Sequence, residues 1–227
     1  SVDLCLNNLL IKNSGILYEA QHLQIGVKMQ FQKAQGRMVL YMGNKEDMPL
    51  EQTRAVVSPT LSLRVQAGQV PPAFPGKKQV QWTIDMQCQE PFTTPPTCTV
   101  SYSYVGQPVE ITLQLPSVIS KFMSPAPIAD PNAFFGAWKN IAAPPQKLQE
   151  LVKGIPALDI PTVKTLLTNM RLGVCEGLDP NPSNIVAASN VCIASGVDTL
   201  VMVSSCLRFG VAVKLHRTDF ALCLDPT

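Results

Sequence analysis

Two histidines and seven cysteines are the side chains of this 227-residue chain best suited to nucleophilic or metal chemistry. His216, in KLHRTD, is followed by Asp219, and a His–Asp pair can orient a serine or cysteine nucleophile. No G-x-S-x-G elbow supplies that nucleophile, so the pair reads as a surface imidazole beside an acid. His22 adjoins a strand pattern and has no such partner in sequence. No CxxC or paired His/Cys spacing suits a metal, and neither G-x-G-x-x-G nor a P-loop is present, so no cofactor is expected. Glu176 and Asp179 are close, but they lie in CEGLDPNP, whose Asp-Pro-Asn-Pro is foremost a turn. With no catalytic constellation, the expectation is a binding module and not an enzyme.

The residues that stand out for binding are aromatic. The chain is 6% aromatic with two tryptophans, yet DPNAFFGAWKN gathers Phe134, Phe135 and Trp138. Asp130 as N-cap and Pro131 at the first helical position start a helix there. With about 100° per residue and Phe134 at zero, Ile141 falls near about −20° and Ala137 near about −60°, a sufficient core stripe. Trp138 falls near about +40° and Phe135 near about +100°, side by side on the edge of that stripe. Spacing alone leaves two readings open for this pair: core filling, or a shallow apolar slot kept accessible by small Gly136 and Ala137.

The elements that must carry this helix follow from composition and period. The apolar fraction is 46% and the charged fraction 15%, enough to bury a core. Net charge is +2 with scattered Lys and Arg, which gives no footprint for nucleic acid and no polybasic block for a membrane surface. No apolar run reaches the roughly 18 residues of a spanning helix. The start has neither a basic n-region nor an initiator Met, as expected of a segment cut from a longer chain. An odd cysteine count inside apolar runs suggests buried free thiols in a reducing compartment.

Residues 1–120 read as a β-sandwich of the immunoglobulin-like kind, with seven or eight strands. These are LLIKNSGILYE, with an Asn-Ser-Gly turn between apolar runs, then LQIGVKMQFQ, GRMVLYMGNK, LSLRVQ, QVQWTIDMQC, CTVSYSYV and VEITLQL. Residues 121–227 read as an α+β subdomain. Helices are expected at PNAFFGAWKNI, PPQKLQELVKGI and PTVKTLLTNM, on one side of a small antiparallel sheet made from RLGVCEGL, SNIVAASNVCIA, DTLVMVSSCLRF and VAVKLHRTDFALCL.

Five strings in order, NNLLIKNSGILYE, LQIGVKMQF, GRMVLYMGNK, FFGAWKNIAAPPQKLQELVKG and GLDPNPSNIVAAS, resemble the C-terminal appendage, or ear, of alpha-adaptin, nearest to plant or algal forms. This is the large subunit of the plasma-membrane clathrin adaptor. The resemblance implies a sandwich followed by a platform, acting in the cytoplasm at coated pits. Its partners would be endocytic accessory proteins and, through an N-terminal part not in this chain, the rest of a heterotetrameric adaptor. On the platform, Phe135 and Trp138 would line a site for Asp-Pro-Phe, Asp-Pro-Trp and Phe-x-Asp-x-Phe motifs. On the side of the sandwich, Lys28, Tyr41 and Gln79 would take W-x-x-F peptides. By sequence alone Lys28 is a solvated strand residue, Gln79 a strand-edge polar, and Tyr41 a core residue.

The resemblance fades after about Asn190. Two family arginines serve the Asp of the bound motif; here CLRFG puts Arg208 one position short, and Lys214 or Arg217 in VAVKLHRTDF must stand for the second. A platform position that is acidic in animal forms matches Lys147, which would shift motif preference. The closing helix of the family has no counterpart, which leads to the expectation of a platform less stable than the sandwich. The rivals are an appendage of another coat, beta-adaptin or coatomer, and more remotely a Cys or Ser hydrolase using His216.

Overall fold

A computed structural model describes residues 2–58, 60–140, 147–150, 159–206 and 210–216, with side chains for 6–58, 60–140 and 159–196. The chain divides into two compact units, Ser1–Val118 and Ile119–Thr227.

The first unit opens with helix α1 (Val2–Ile11), where a strand-turn-strand was expected. Val2, Leu6 and Leu9 recur at helical spacing, and the adjacent polar pair Asn7-Asn8 breaks the alternation a strand needs. Leu9 is buried against β1 (Ser14–Glu19), where a side chain on Gly15 would meet its Cδ2 at 3.2 Å. Then come β2 (Leu23–Gln32), β3 (Gln35–Asn44), β4 (Leu50–Val57), β5 (Leu63–Ala67), β6 (Ala73–Phe74), β7 (Gln79–Cys88), β8 (Thr97–Tyr104) and β9 (Gln107–Gln114). One sheet runs β1-β2-β3-β7-β5 and the other β6-β4-β8-β9, with antiparallel pairing throughout.

Alternation places Leu23, Ile25, Val27 and Met29 of β2, Met38, Leu40 and Met42 of β3, and Trp82, Ile84 and Met86 of β7 in the core. Cys98, Val100 and Tyr102 of β8 are buried in the second sheet. Buried Trp82 keeps its indole N–H satisfied by donating to the Gly68 carbonyl at 2.8 Å. Two strands escape a reading by period. In β4 the register shifts between Glu51 and Arg54, Gln52 has φ 51°, and buried Thr53 donates to the carbonyls of Pro71 and Pro72. A bulge of that kind erases the two-residue alternation. Strand β6 is two residues long and has no period to show.

The second unit contains β10 (Met123–Pro125), α2 (Pro131–Asn140), β11 (Lys147–Glu150), α3 (Ile160–Asn169), β12 (Gly173–Val174), β13 (Asn184–Ile193), β14 (Gly196–Cys206) and β15 (Gly210–His216). The sheet order is β10-β13-β14-β15-β11, with β12 also paired to β13. Residues 147–150, expected as helix, are a strand paired antiparallel with β15. Leu148 stands opposite Val213 in that register, and strand pairing overrides weak helix propensity in a short segment.

The helices do not share one side of the sheet. Phe134 of α2 packs with Val186 and Ala188 of β13, while Leu167 of α3 packs with Ile185, Ala187 and Val191. Even and odd positions of a strand point to opposite faces, so β13 is covered on both. Its continuous burial from Ile185 to Ser189 is the sequence trace of that arrangement.

Candidate functional site: an aromatic edge and a glycine-flanked tyrosine

Helix α2 is fixed at its start by Asp130, whose carboxylate accepts from the backbone N–H groups of Asn132 (3.1 Å) and Ala133 (3.0 Å). Pro131 follows at the position where a missing N–H costs nothing. Phe134 is fully buried in a cluster with Cys175, Leu178, Val186 and Ala188. It serves in turn as a wall for two half-buried rings. Trp138 stacks on it, with centroids 6.0 Å apart and planes 15° from parallel. Phe135 meets it edge-on at 5.3 Å and 77°. Each of the two rings thus has one side on the core and part of its surface in solvent. Among the described residues nothing lies within 4 Å of where a Gly136 side chain would begin.

The basic partners are less fully placed. Arg208 and Arg217 lie outside the described residues, as does Ile141 of the expected core stripe. Lys214 stands in β15, in the cross-strand row Gly173–Ala188–Met202–Lys214–Lys147. The same row holds Ala188, beneath Phe134.

On the first unit, Lys28, Tyr41 and Gln79 come together on the outer face of the five-stranded sheet. Tyr41 is half-buried on that face and is not in the core. It shares a row with Ile16, Gly26 and Gln81. Lys28, opposite Val39, and Gln79, opposite Gly43, each stand diagonally next to Tyr41, roughly 7–8 Å away by sheet geometry. Both are exposed. From sequence Gly26 reads as the mark of a bulge and Gly43-Asn44 as a turn signal; in the structure Gly26 lies within β2 and Gly43 within β3. Neither Gly26 nor Gly43 has positive φ, and an added Cβ would come no nearer than 3.8 Å to any atom at either position. Glycine inside a strand, required by neither backbone nor packing, leaves room for something to approach. The signal for Gly43 was its spacing of two from Tyr41 along β3, whereas Gly26 reaches Tyr41 only through the β2–β3 register.

The hydrolase chemistry finds no support in the described residues. His22 Nδ1 lies 2.9 Å from Glu46 Oε1, Tyr104 donates to Glu46 Oε2 at 3.2 Å, and the His22 and Tyr104 rings are 4.4 Å apart. Hydrogen bonding from His22, chiefly, holds the Glu46 carboxyl below its usual range. This is a clamp between strand ends with no nucleophile in it. Burial pushes the Cys98 thiol up to about 12 and raises that of Cys175, the opposite of an activated cysteine. Cys88, Cys98, Cys175 and Cys192 are buried and not joined in disulfides. Among the described residues no cluster of three metal-ligating side chains occurs. His216 is in β15, its side chain outside the description.

Comparison with known proteins decides what kind of module carries these two surfaces. Residues 13–116 match the adaptin C-terminal domain, and residues 121–205 match the alpha adaptin AP2 C-terminal domain. The chain belongs to the alpha-adaptin appendage family. It is 36% identical over 181 residues to the AP-2 complex subunit alpha-1 of Arabidopsis thaliana, covering 80% of this chain and 18% of that protein. Identity to the AP-2 complex subunit alpha-2 of Dictyostelium discoideum is 35% over 181 residues, 79% of this chain and 18% of that one. The chain therefore spans about a fifth of the length of these relatives. Among solved structures, the GAE domain of GGA2p from Saccharomyces cerevisiae aligns over 47% of this chain and 100% of its own, with a TM-score of 0.41 and 14% identity, too slight a likeness to add to the assignment.

As an alpha-adaptin appendage the chain is a protein-interaction module and not an enzyme, with a sandwich and a platform as its two units. No helix of the described residues is long and apolar enough to cross a membrane.

Proposed function

We propose that this appendage captures short linear motifs of endocytic accessory proteins at two separate surfaces, within an adaptor complex at clathrin-coated pits of the plasma membrane. On the platform, Phe135 and Trp138 hold the aromatic ring of Asp-Pro-Phe, Asp-Pro-Trp or Phe-x-Asp-x-Phe motifs, and Arg208, Lys214 and Arg217 supply the positive charge for the motif Asp. On the sandwich, Lys28, Tyr41 and Gln79 receive W-x-x-F peptides, the aromatic side chain lying over Gly26 or Gly43 beside the Tyr41 ring.

The observation that carries this reading is the half-exposed pair Phe135 and Trp138 held against a fully buried Phe134. A rigid, partly solvated aromatic edge costs little entropy to bind with, because the rings are already fixed. A motif of a few residues still buries little area and loses its own disorder on binding, so each affinity is micromolar or weaker. Several motifs on one disordered chain engaging clustered appendages then give the avidity a coat needs.

A titration of the 227-residue chain with a Phe-x-Asp-x-Phe peptide, followed by NMR, tests this beside Trp138→Ala. Saturable shifts around α2 that vanish in the variant, while W-x-x-F binding persists, are expected. No shifts in a folded wild type would sink the platform reading.

A further inference from the structure

Strand β5 ends its sheet and pairs with β7 alone. Ser62 accepts from the Gln89 N–H at 2.8 Å, and the Gly68 N–H donates to the Thr83 carbonyl at 2.9 Å. Antiparallel bonding alternates, so Arg64 and Gln66 also turn their backbone groups toward β7. Val65 and Ala67 turn theirs to the open side. Strand β4 repeats this in the other sheet. Its pairing with β6 stops at Glu51, and Thr53 bonds to Pro72 just beyond. The Ser58 N–H donates to the Thr97 carbonyl at 2.8 Å, which leaves Ala55 and Val57 facing outward. Among the described residues, the backbone groups of these four have no partner.

The two open edges border one cavity of about 410 Å³, lined in part by Ala55, Val57, Leu63, Val65 and Ala67. These are the inward positions of their strands. Along β5 they pass from buried Leu63 through half-buried Val65 to exposed Ala67. Inward positions of a closed sandwich are core, so the two sheets part along this seam. Arg54 and Arg64 stand exposed on the outer faces beside the two edges. Neither makes an ion pair among the described residues.

We propose that this seam takes an extended segment of a partner protein as an added strand on β5, with apolar side chains alternating into the cavity and a carboxylate opposite Arg64. The surface is separate from the α2 slot and from the Tyr41 face, and depends on neither. The backbone of the segment satisfies the open groups of Val65 and Ala67. Every second side chain then points between the sheets, and those between lie on the outer face. The position opposite Arg64 is a non-hydrogen-bonded one, where facing side chains come closest. A second copy of this chain lacks the acid that this position calls for. The outward residues at the two edges are Arg64 and Gln66 on β5, and Arg54 and Val56 on β4.

The test uses short peptides that alternate valine with serine, the central serine replaced by Asp or by Lys. A third is the Asp peptide N-methylated at the amides that would face β5. Each is titrated into the 227-residue chain and followed by amide spectra and by hydrogen exchange at Val65 and Ala67. The Asp peptide is expected to shift both amides, slow their exchange, and bind about three- to fivefold more tightly than the Lys peptide at low salt. Arg64→Glu, an exposed change, reverses that preference. Val65→Pro removes an edge N–H that β7 does not use, and weakens the Asp peptide about tenfold in a chain whose other amide signals are retained. Equal binding of the N-methylated peptide overturns strand addition, and an unreversed preference in Arg64→Glu overturns the charge pairing. Doubled mass without peptide, with the same two amides protected, gives the seam to a second copy instead. No binding of the Asp peptide to wild type removes the proposal.

Discussion

The indole of Trp138 lies 15° from parallel to the ring of Phe134, with centroids 6.0 Å apart, on one ten-residue helix. The two residues divide labour along that stack. Phe134 is fully buried, so Phe134→Ala is expected to cost about 3–5 kcal/mol of stability in the second unit, with motif binding lost through unfolding. Trp138→Ala removes a half-exposed ring and costs about 1–2 kcal/mol, with binding lost in a folded protein. Urea denaturation of both variants separates them; equal destabilisation would place Trp138 in the core and out of the site.

Gly26 offers a cleaner probe of the sandwich surface. Its nearest neighbours to an added Cβ are the Gly15 carbonyl and Tyr41 Cβ, both at 3.8 Å, an ordinary contact. Gly26→Val is therefore expected to fold, with stability unchanged or slightly raised because glycine is a poor strand residue. The branched side chain fills the space beside Tyr41, and W-x-x-F affinity drops about tenfold or more, from a few buried methyl groups' worth of excluded contact. Unchanged binding in the folded variant would move the peptide off this face.

The Glu46 clamp predicts an acid dependence. Its carboxyl is held below the ordinary 4.5, first by the His22 hydrogen bond, so the folded state binds its proton less readily than the unfolded chain. The stabilisation is fully present above the unfolded value and is lost as pH falls through the lower folded one. Thermal melts between neutral pH and strong acid should show a shallower decline for Glu46→Gln than for wild type. An identical slope would mean the clamp contributes nothing to folding.

Lys121 has the opposite signature. It is almost wholly buried, and desolvation first, then the nearby Arg171 charge, lowers its ammonium to about 8. The unfolded chain keeps that proton up to about 10.5, so between about 8 and about 10.5 the unfolded state binds more protons and stability rises with pH. In Lys121→Met this rise disappears. Denaturation midpoints across that window, wild type against variant, are the measurement; parallel curves would mean the lysine stays charged when folded.

The sandwich was readable because its strands alternate cleanly, as in β2, whose buried residues fall on every second position from Leu23 to Met29. Illegible elements were those where tertiary pairing overrides local pattern: β4 with its bulge at Gln52, two-residue β6, and β11, whose PPQKLQELVKG reads as a helix until strand pairing sets Leu148 opposite Val213. The α2 cap and aromatic edge were legible down to Asp130, because capping and helical spacing are local chemistry. Sequence could not say that α2 and α3 take opposite faces of β13. That depends on parity along a strand whose residues are apolar on both sides and so favour neither helix.

The double covering of β13 has an evolutionary corollary. Substitution anywhere from Ile185 to Ser189 disturbs one helix or the other, so that stretch tolerates little drift. Lys139 and Gly136, exposed on α2, answer to no such neighbour among the described residues. Changes there alter what the surface recognises without touching what holds it. A lineage can thus rewrite the contacts of this surface one exposed residue at a time, on a scaffold that is itself held fixed.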